Sequence, residues 1–342
     1  MNNSFDMIRS NDIAVYADQK PKKNYLALLN GTATNELSKV NVKKNPVKMN
    51  GITNTGTIKQ GNLTVFIDKC DKVTGGLRPS TSKLLDICTI QLNKQNNYKD
   101  TENLNRIVSF SIEDYLVLCG KNVNDSSKKD ARKKITEDLD TLYKISLEWT
   151  ENSGKNSKNF AKTRICEGVG IKNGKVELKF TEDMARYLNT SYIMQVSPEL
   201  LKIDERNGNA YALGRKLLLH YGMDNNIAKG TRNIISVKSC LEFCPDIASI
   251  DDVMSKGRQV DQRIKMPLEK ALNSLPFVDW EYCNSKGKPL TDEQLFSTDY
   301  KTFVDTFIHF EILDAPDNTE RIKRKATKKK KPTKKPQKKK SE

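Results

Sequence analysis

Apolar positions along the chain alternate between helical and strand spacing, in an order that occurs twice. The first occurrence opens with a helix from Ser82 to Leu92, for which Thr81 is the expected N-cap. The strand-like run Ile107-Val108-Ser109-Phe110 follows, and then Ser111-Ile112-Glu113-Asp114, a capping signature that starts a second helix. A third helix is predicted over about 127–143, with Ile135, Leu139 and Leu142 on one face. It leads into a strand at Ile145–Trp149, a polar loop and a return strand near Thr163–Cys166. The second occurrence runs through a helix from Ala210 to Tyr221, the strand Ile234–Val237 and a short helix from Lys238 to Phe243. Its third helix, about 258–275, aligns Ile264, Leu268, Ala271 and Leu275, and a strand at Val278–Cys283 meets the turn Asn284–Pro289. Ile135 and Leu139 correspond to Ile264 and Leu268, and Trp149 corresponds to Trp280.

The order helix, strand, helix, helix, strand, turn, strand is that of a winged helix. The expected fold is α+β, with two winged-helix domains in tandem and a flexible basic C-terminal tail. Boundaries fall at 1–60 for a polar, mostly irregular N-terminal arm, 61–180 and 181–314 for the two domains, and 315–342 for the tail. Within the arm, Tyr25 to Leu29 is a short apolar patch suited to docking, and the first strand is expected only at Leu63–Ile67. An insert, Lys175–Ile203, joins the halves; it is preceded by an Asn173-Gly174 hairpin signal and carries a helix capped by Thr181. Phe303 to Ile312 reads as a final strand.

Charge sharpens the picture. The net charge of +16 suggests a nucleic-acid partner, but 13 Lys/Arg and 2 Asp/Glu lie within residues 320–342. What is left, 46 basic against 41 acidic residues in 1–319, is only mildly basic, so the argument for DNA rests on where charges sit. The tail is a Lys/Pro sequence of low complexity that cannot bury apolar surface. Seven scattered cysteines show no disulfide framework, and neither a signal core nor an apolar run of membrane-spanning length occurs. These features predict a cytoplasmic protein with no membrane association.

A third helix of this motif enters the major groove through its N-terminal turns. In the first unit it offers Lys129, Lys133 and Lys134, interrupted by Asp130 and Glu137. Lysines are point charges suited to phosphates, so this helix is expected to position the protein; an ordinary solvated face is the rival reading. In the second unit the same element offers Arg258, Gln259, Gln262, Arg263 and Lys265. Arg and Gln can each make paired hydrogen bonds to guanine or adenine, which marks this segment as the reader of sequence. Pro267 marks either a bend in this helix or its true start. Two loops are candidate wings, Glu151–Lys162 with Lys155 and Lys158, and Asn284–Lys288 with Lys286 and Lys288. Exposed hairpin turns of any kind have the same composition, and the two readings stand level. Asp138-Leu139-Asp140 is expected to be solvated.

Three stretches resemble the tandem winged-helix plasmid replication initiators that bind direct repeats, or iterons, at an origin. They are Thr81-Ser82-Lys83-Leu84-Leu85-Asp86, Tyr211-Ala212-Leu213-Gly214-Arg215-Lys216-Leu217-Leu218 and Arg263-Ile264-Lys265-Met266-Pro267-Leu268. The similarity extends from about residue 60 to 314 through degenerate motifs. It implies binding of double-stranded DNA by monomers at origin repeats, homodimers that repress the protein's own promoter, and recruitment of a host helicase and host initiator proteins. No cofactor and no enzymatic activity are expected, on the inventory of residues.

A rolling-circle nicking enzyme needs clustered histidines, and the chain has only His220 and His309, each with apolar neighbours. No phosphate-binding loop motif occurs, and Cys240-x3-Cys244 lacks a second ligand pair and reads as packing. A transcriptional repressor without a replication role uses the same fold and stays open as the alternative. So does a structural protein whose tail alone gives DNA affinity.

Overall fold

In the computed structural model the described residues are 25–38, 48–50, 55–60, 63–68, 78–96, 105–152, 158–189, 192–248, 253, 255, 260–296 and 300–313. The N-terminal elements are strand β1 (Leu26–Asn30), helix α1 (Thr32–Leu37) and strands β2 (Lys48–Asn50), β3 (Thr55–Gln60) and β4 (Leu63–Ile67). The expectation of an irregular arm therefore fails at 26–37, 48–50 and 55–60, while residues 1–24 lie outside the described residues. Its apolar patch is a strand because it has a partner: β1 pairs antiparallel with β10 (Tyr192–Val196), Leu28 opposite Met194.

The first helix, α2 (Pro79–Gln95), starts earlier than expected, with Arg78 at the N-cap and Pro79 at the first position, where a missing N–H costs nothing. Thr81 is not a cap. Its hydroxyl, with that of Ser80, donates to Asp138 Oδ1 at 2.7 and 3.0 Å. Asp138 is consequently buried rather than solvated, and desolvation holds its carboxyl above the usual carboxylate range.

Strand β5 (Ile107–Ser111), α3 (Ile112–Leu118) and α4 (Asp125–Lys144) follow. Asn124 caps α4 through Ser127 N, an interaction worth about 1 kcal/mol. The buried stripe Ala131, Ile135, Leu139 and Leu142 fixes the helix against the core. A buried aliphatic side chain of this kind contributes about 1.5–3 kcal/mol. The chain then passes directly into β6 (Ile145–Asn152), β7 (Lys158–Arg164), β8 (Cys166–Lys172) and β9 (Lys175–Phe180).

The sheet topology corrects the sequence reading at this point. β6 and β7 extend the N-terminal strands into a five-stranded sheet of order β2-β3-β4-β6-β7, with Leu63 opposite Trp149. The motif's own sheet is β5-β9-β8, so the wing of the first unit is the Asn173-Gly174 hairpin and not the loop 151–162. The reason is burial: Ile145, Leu147 and Trp149 are all inward and match Leu63, Val65 and Ile67 on β4. The counterpart of the Trp280 strand is β8, and the match of Trp149 to Trp280 does not hold. Asn173 at φ 51° and Gly174 at φ 74° make the two-residue turn that such hairpins favour.

After α5 (Glu182–Asn189), where the Thr181 hydroxyl accepts from Met184 N at 3.2 Å as expected of a cap, β10 leads to α6 (Glu199–Lys202). The C-terminal half comprises α7 (Gly208–Gly222), α8 (Asp224–Lys229), β11 (Ile234–Ser236), α9 (Val237–Phe243), a π-helical turn (Asp261–Lys265), α10 (Met266–Asn273) and β12 (Val278–Cys283). Short helices α11 (Asp292–Phe296) and α12 (Tyr300–Val304) precede β13 (Phe307–Ile312). Its sheet order, β11-β13-β12, places first, last and middle strands as β5-β9-β8 does. The predicted strand beginning at Phe303 starts only at Phe307, because residues 300–304 turn as a helix.

Among the described residues no helix is long and apolar enough to cross a membrane, and no group of three or more His, Cys, Asp or Glu is placed to hold a metal ion. Cys240 and Cys244 are buried.

Candidate nucleic-acid interface

Helix α3 begins on a capping box: Asp114 N donates to Ser111 Oγ at 2.9 Å, and Ser111 N donates to Asp114 Oδ2 at 3.1 Å. Hydrogen bonding to the ionised carboxylate holds Asp114 below its ordinary pKa. The wing is tied to this same turn, since Ile112 N donates to Gly174 O at 3.0 Å and Ser111 lies opposite Lys175. Between the wing tip and the first half of α4 is an open cleft of about 500 Å³. One wall carries Lys128, Lys129 and Arg132, the other Asn173, Gly174 and Lys175. Glu113 pairs with Lys128 at 2.5 Å, and this hydrogen bond raises the Lys128 pKa.

Lys129 is thus where the sequence reading put it, and Lys133 is exposed on the same helix. Lys134 is not on this face. It turns inward to the buried carboxylate of Glu205, which also accepts from Tyr115 Oη at 3.1 Å and lies 3.5 Å from Lys121. Desolvation lowers the Lys134 pKa. Lys155 lies outside the described residues, and Lys158 begins β7 in the other sheet, away from the motif's wing. Sequence reasoning missed Arg132 and Lys175. Arg132 follows Lys129 by three residues on one helical face, so the signal was present. Lys175 was hidden because its hairpin was assigned to the insert.

In the second unit Gln262 is exposed, Arg263 and Lys265 are half-buried, and Arg258 and Gln259 lie outside the described residues. The π turn resolves the question of Pro267. Proline brings no N–H to the carbonyl four residues back. One residue earlier, Met266 N donates to Asp261 O, five residues back, and a regular helix starts at Met266 with Pro267 in its first turn, where a missing N–H costs little. Ile264 is buried and anchors the turn. Lys286 and Lys288 are exposed on a turn where Asn284 Oδ1 accepts from both their backbone N–H groups, at 2.9 and 3.1 Å. Gly287, at φ 77°, sits so close to Ile234 that an added Cβ would lie 2.8 Å from its Cδ1, which presses the turn onto β11.

His220 is a structural residue. Its Nε2 is 2.9 Å from Ile234 O and 3.3 Å from Thr231 O, and burial lowers its pKa. His309 lies on β13 with Nδ1 3.6 Å from Glu281.

Residues 70–204 match the family model described as initiator replication protein, WH1. The resemblance read from the sequence therefore holds for that segment, which carries a winged-helix domain of the replication-initiator type. Two solved structures of domains 2 and 3 of RctB are similar to the chain. One is 12% identical, covers 90% of this chain and 98% of its own, and has a TM-score of 0.39; the other is 11% identical, covers 78% and 90%, and has a TM-score of 0.35. No curated protein matches the chain with significance.

Proposed function

We propose that this protein is a sequence-specific double-stranded DNA-binding protein that initiates replication of a plasmid or mobile element at repeated origin sites and represses its own promoter, with no enzymatic step of its own. The observation that carries the reading is the basic cleft between α4 and the Asn173-Gly174 wing, within the segment that matches the initiator WH1 model. A helix N-terminus beside a basic hairpin is the form that enters a major groove and tracks the adjacent phosphates. Lys128, Lys129, Lys133, Arg132 and Lys175 supply the cations.

The C-terminal half is read as a second winged helix because its elements and sheet order repeat those of the first. Its π turn presents Gln262 and Arg263, and with Arg258, Gln259 and Lys265 it is assigned the base contacts. Lys286 and Lys288 are assigned to the phosphate backbone. Homodimer formation and recruitment of a host helicase and initiator proteins belong to the same reading, as does a cytoplasmic location.

The test is selection of bound sequences from a random duplex pool at about 0.15 M salt. Enrichment of one motif by the wild-type chain, lost in Arg258→Ala/Gln262→Ala/Arg263→Ala, is expected. Tandem copies of that motif beside the gene mark an origin; single copies at promoters mark a repressor. Absence of any enriched motif would overturn the sequence-specific reading.

A further inference from the structure

The five-stranded sheet has a second face that neither winged unit uses. Its inner positions, among them Ile58, Val65 and Leu147, are buried. Alternation along each strand therefore turns Thr57, Phe66, Ser146 and Arg164 outward as one row across β3, β4, β6 and β7. Lys59, Thr64, Glu148 and Lys162 form the next row. With strands about 4.8 Å apart, each row spans about 14 Å. Lys48 continues the first row on β2, opposite Thr57.

Cations and aromatic rings are interleaved on this face. The Lys162 ammonium lies 4.8 Å from the centroid of Phe66, and the Arg164 guanidinium 5.8 Å from that of Tyr143, which is 42% exposed at the end of α4. Hydroxyls of Thr57, Thr64 and Ser146 fill the middle. Among the described residues of this face two acids stand, Glu148 at 3.9 Å from Lys162 and Asp68 at 2.6 Å from Arg164. Against them stand Lys48, Lys59, Lys162 and Arg164, so the described part of the face is net positive.

We propose that this face binds single-stranded DNA, with Lys59, Lys162 and Arg164 on the phosphates and bases stacked on Phe66 and Tyr143. Aromatic side chains on an open sheet, flanked by cations, suit unpaired bases, whose π faces are free. A duplex hides those faces, and its major groove admits a helix or a two-stranded ribbon rather than a broad sheet. The inference does not depend on the duplex-binding role of the cleft, which is built from the first half of α4 and the wing, whereas Tyr143 stands at the other end of that helix.

The experiment is fluorescence anisotropy with the full chain, a labelled 20-nucleotide dT strand, the matching rU strand and a duplex of equal length. The Lys-rich tail is common to all variants, so differences between them read the sheet. Lys59→Gln/Lys162→Gln/Arg164→Gln is expected to weaken dT binding at least tenfold while changing duplex binding less than twofold. Tyr143→Ser, at an exposed position, and Phe66→Leu, which keeps an apolar side chain against the sheet, are each expected to weaken dT binding about fivefold with unchanged circular dichroism. Arg132→Ala/Lys175→Ala should leave dT binding intact. Unchanged dT affinity in the triple variant, an equal loss on duplex, or tighter binding of rU than of dT would each overturn the proposal.

Discussion

Asp86 on α2 and Arg215 on α7 form a buried ion pair, with Arg215 Nε 3.1 Å from Asp86 Oδ2. Tyr211 Oη donates to the same oxygen at 2.7 Å. Arg215 Nη2 donates to Asp86 Oδ1 at 3.4 Å, and Nη1 reaches Ser38 Oγ at 3.2 Å and Asn35 Oδ1 at 3.4 Å, so one buried cation gathers α1, α2 and α7. Lys83, one turn before Asp86, donates to Ile203 O at 2.5 Å and lies over the Tyr211 ring. Two of the three stretches that carried the family resemblance are thus two sides of one contact.

Removing one partner of this pair leaves the other charge buried. Arg215→Met is expected to cost about 3–5 kcal/mol, and Asp86→Leu in the same chain to recover much of that loss. Urea unfolding of the two variants measures it. A loss below about 1 kcal/mol for Arg215→Met would show that the pair does not hold the halves together.

The cleft makes a prediction about salt. Each phosphate neutralised contributes about 0.9 to the slope of log K against log salt. Arg132→Ala/Lys175→Ala should therefore flatten the duplex-binding slope by about 1.8. Lys134→Ala, whose ammonium is committed to Glu205, should lower the melting temperature and leave the slope unchanged. A flattened slope in the Lys134 variant would put that residue back on the DNA-facing surface.

The wing should be sensitive to its backbone. At φ 74° a β-branched residue is strained, so Gly174→Val is expected to cost about 1–2 kcal/mol and to displace Lys175 from the cleft. Duplex affinity should fall without any change in charge. Equal affinity and stability in this variant would mean that the hairpin can adopt another turn at no cost.

Acid should loosen the C-terminal half through His220. Its folded pKa lies below the unfolded value of about 6.5, so the unfolded state takes up the proton first. The corresponding stability is complete above about pH 6.5 and is lost as pH falls from there towards the folded pKa. Melting curves between pH 7.5 and 5 should show this decline in the wild type and a smaller one in His220→Gln. Parallel declines would assign the acid sensitivity to other groups.

Local signals in the sequence located most elements. The stripe Ile135, Leu139 and Leu142, the Ser111 capping box and the Asn173-Gly174 turn each depend on neighbours a few residues away, and each is found in place. Partnership between distant strands was not legible. Ile145–Trp149 alternates as either sheet would require, and only the packing of Leu147 against Val65 rather than beside β5 decides which sheet it joins. That one assignment moved the wing and brought Lys175 to the cleft. Lys134 was misplaced for a related reason: its partner Glu205 is 71 residues away, and no spacing rule links them.

The junction between α4 and β6 has a mechanical consequence. Lys144 ends the helix and Ile145 begins the strand, so no loop separates the helix proposed for the groove from the five-stranded sheet. A hinge needs slack, and there is none at this junction. The tilt of the helix and the attitude of the sheet are one variable: a rod and a plate made from a single piece, in which turning either end turns the other.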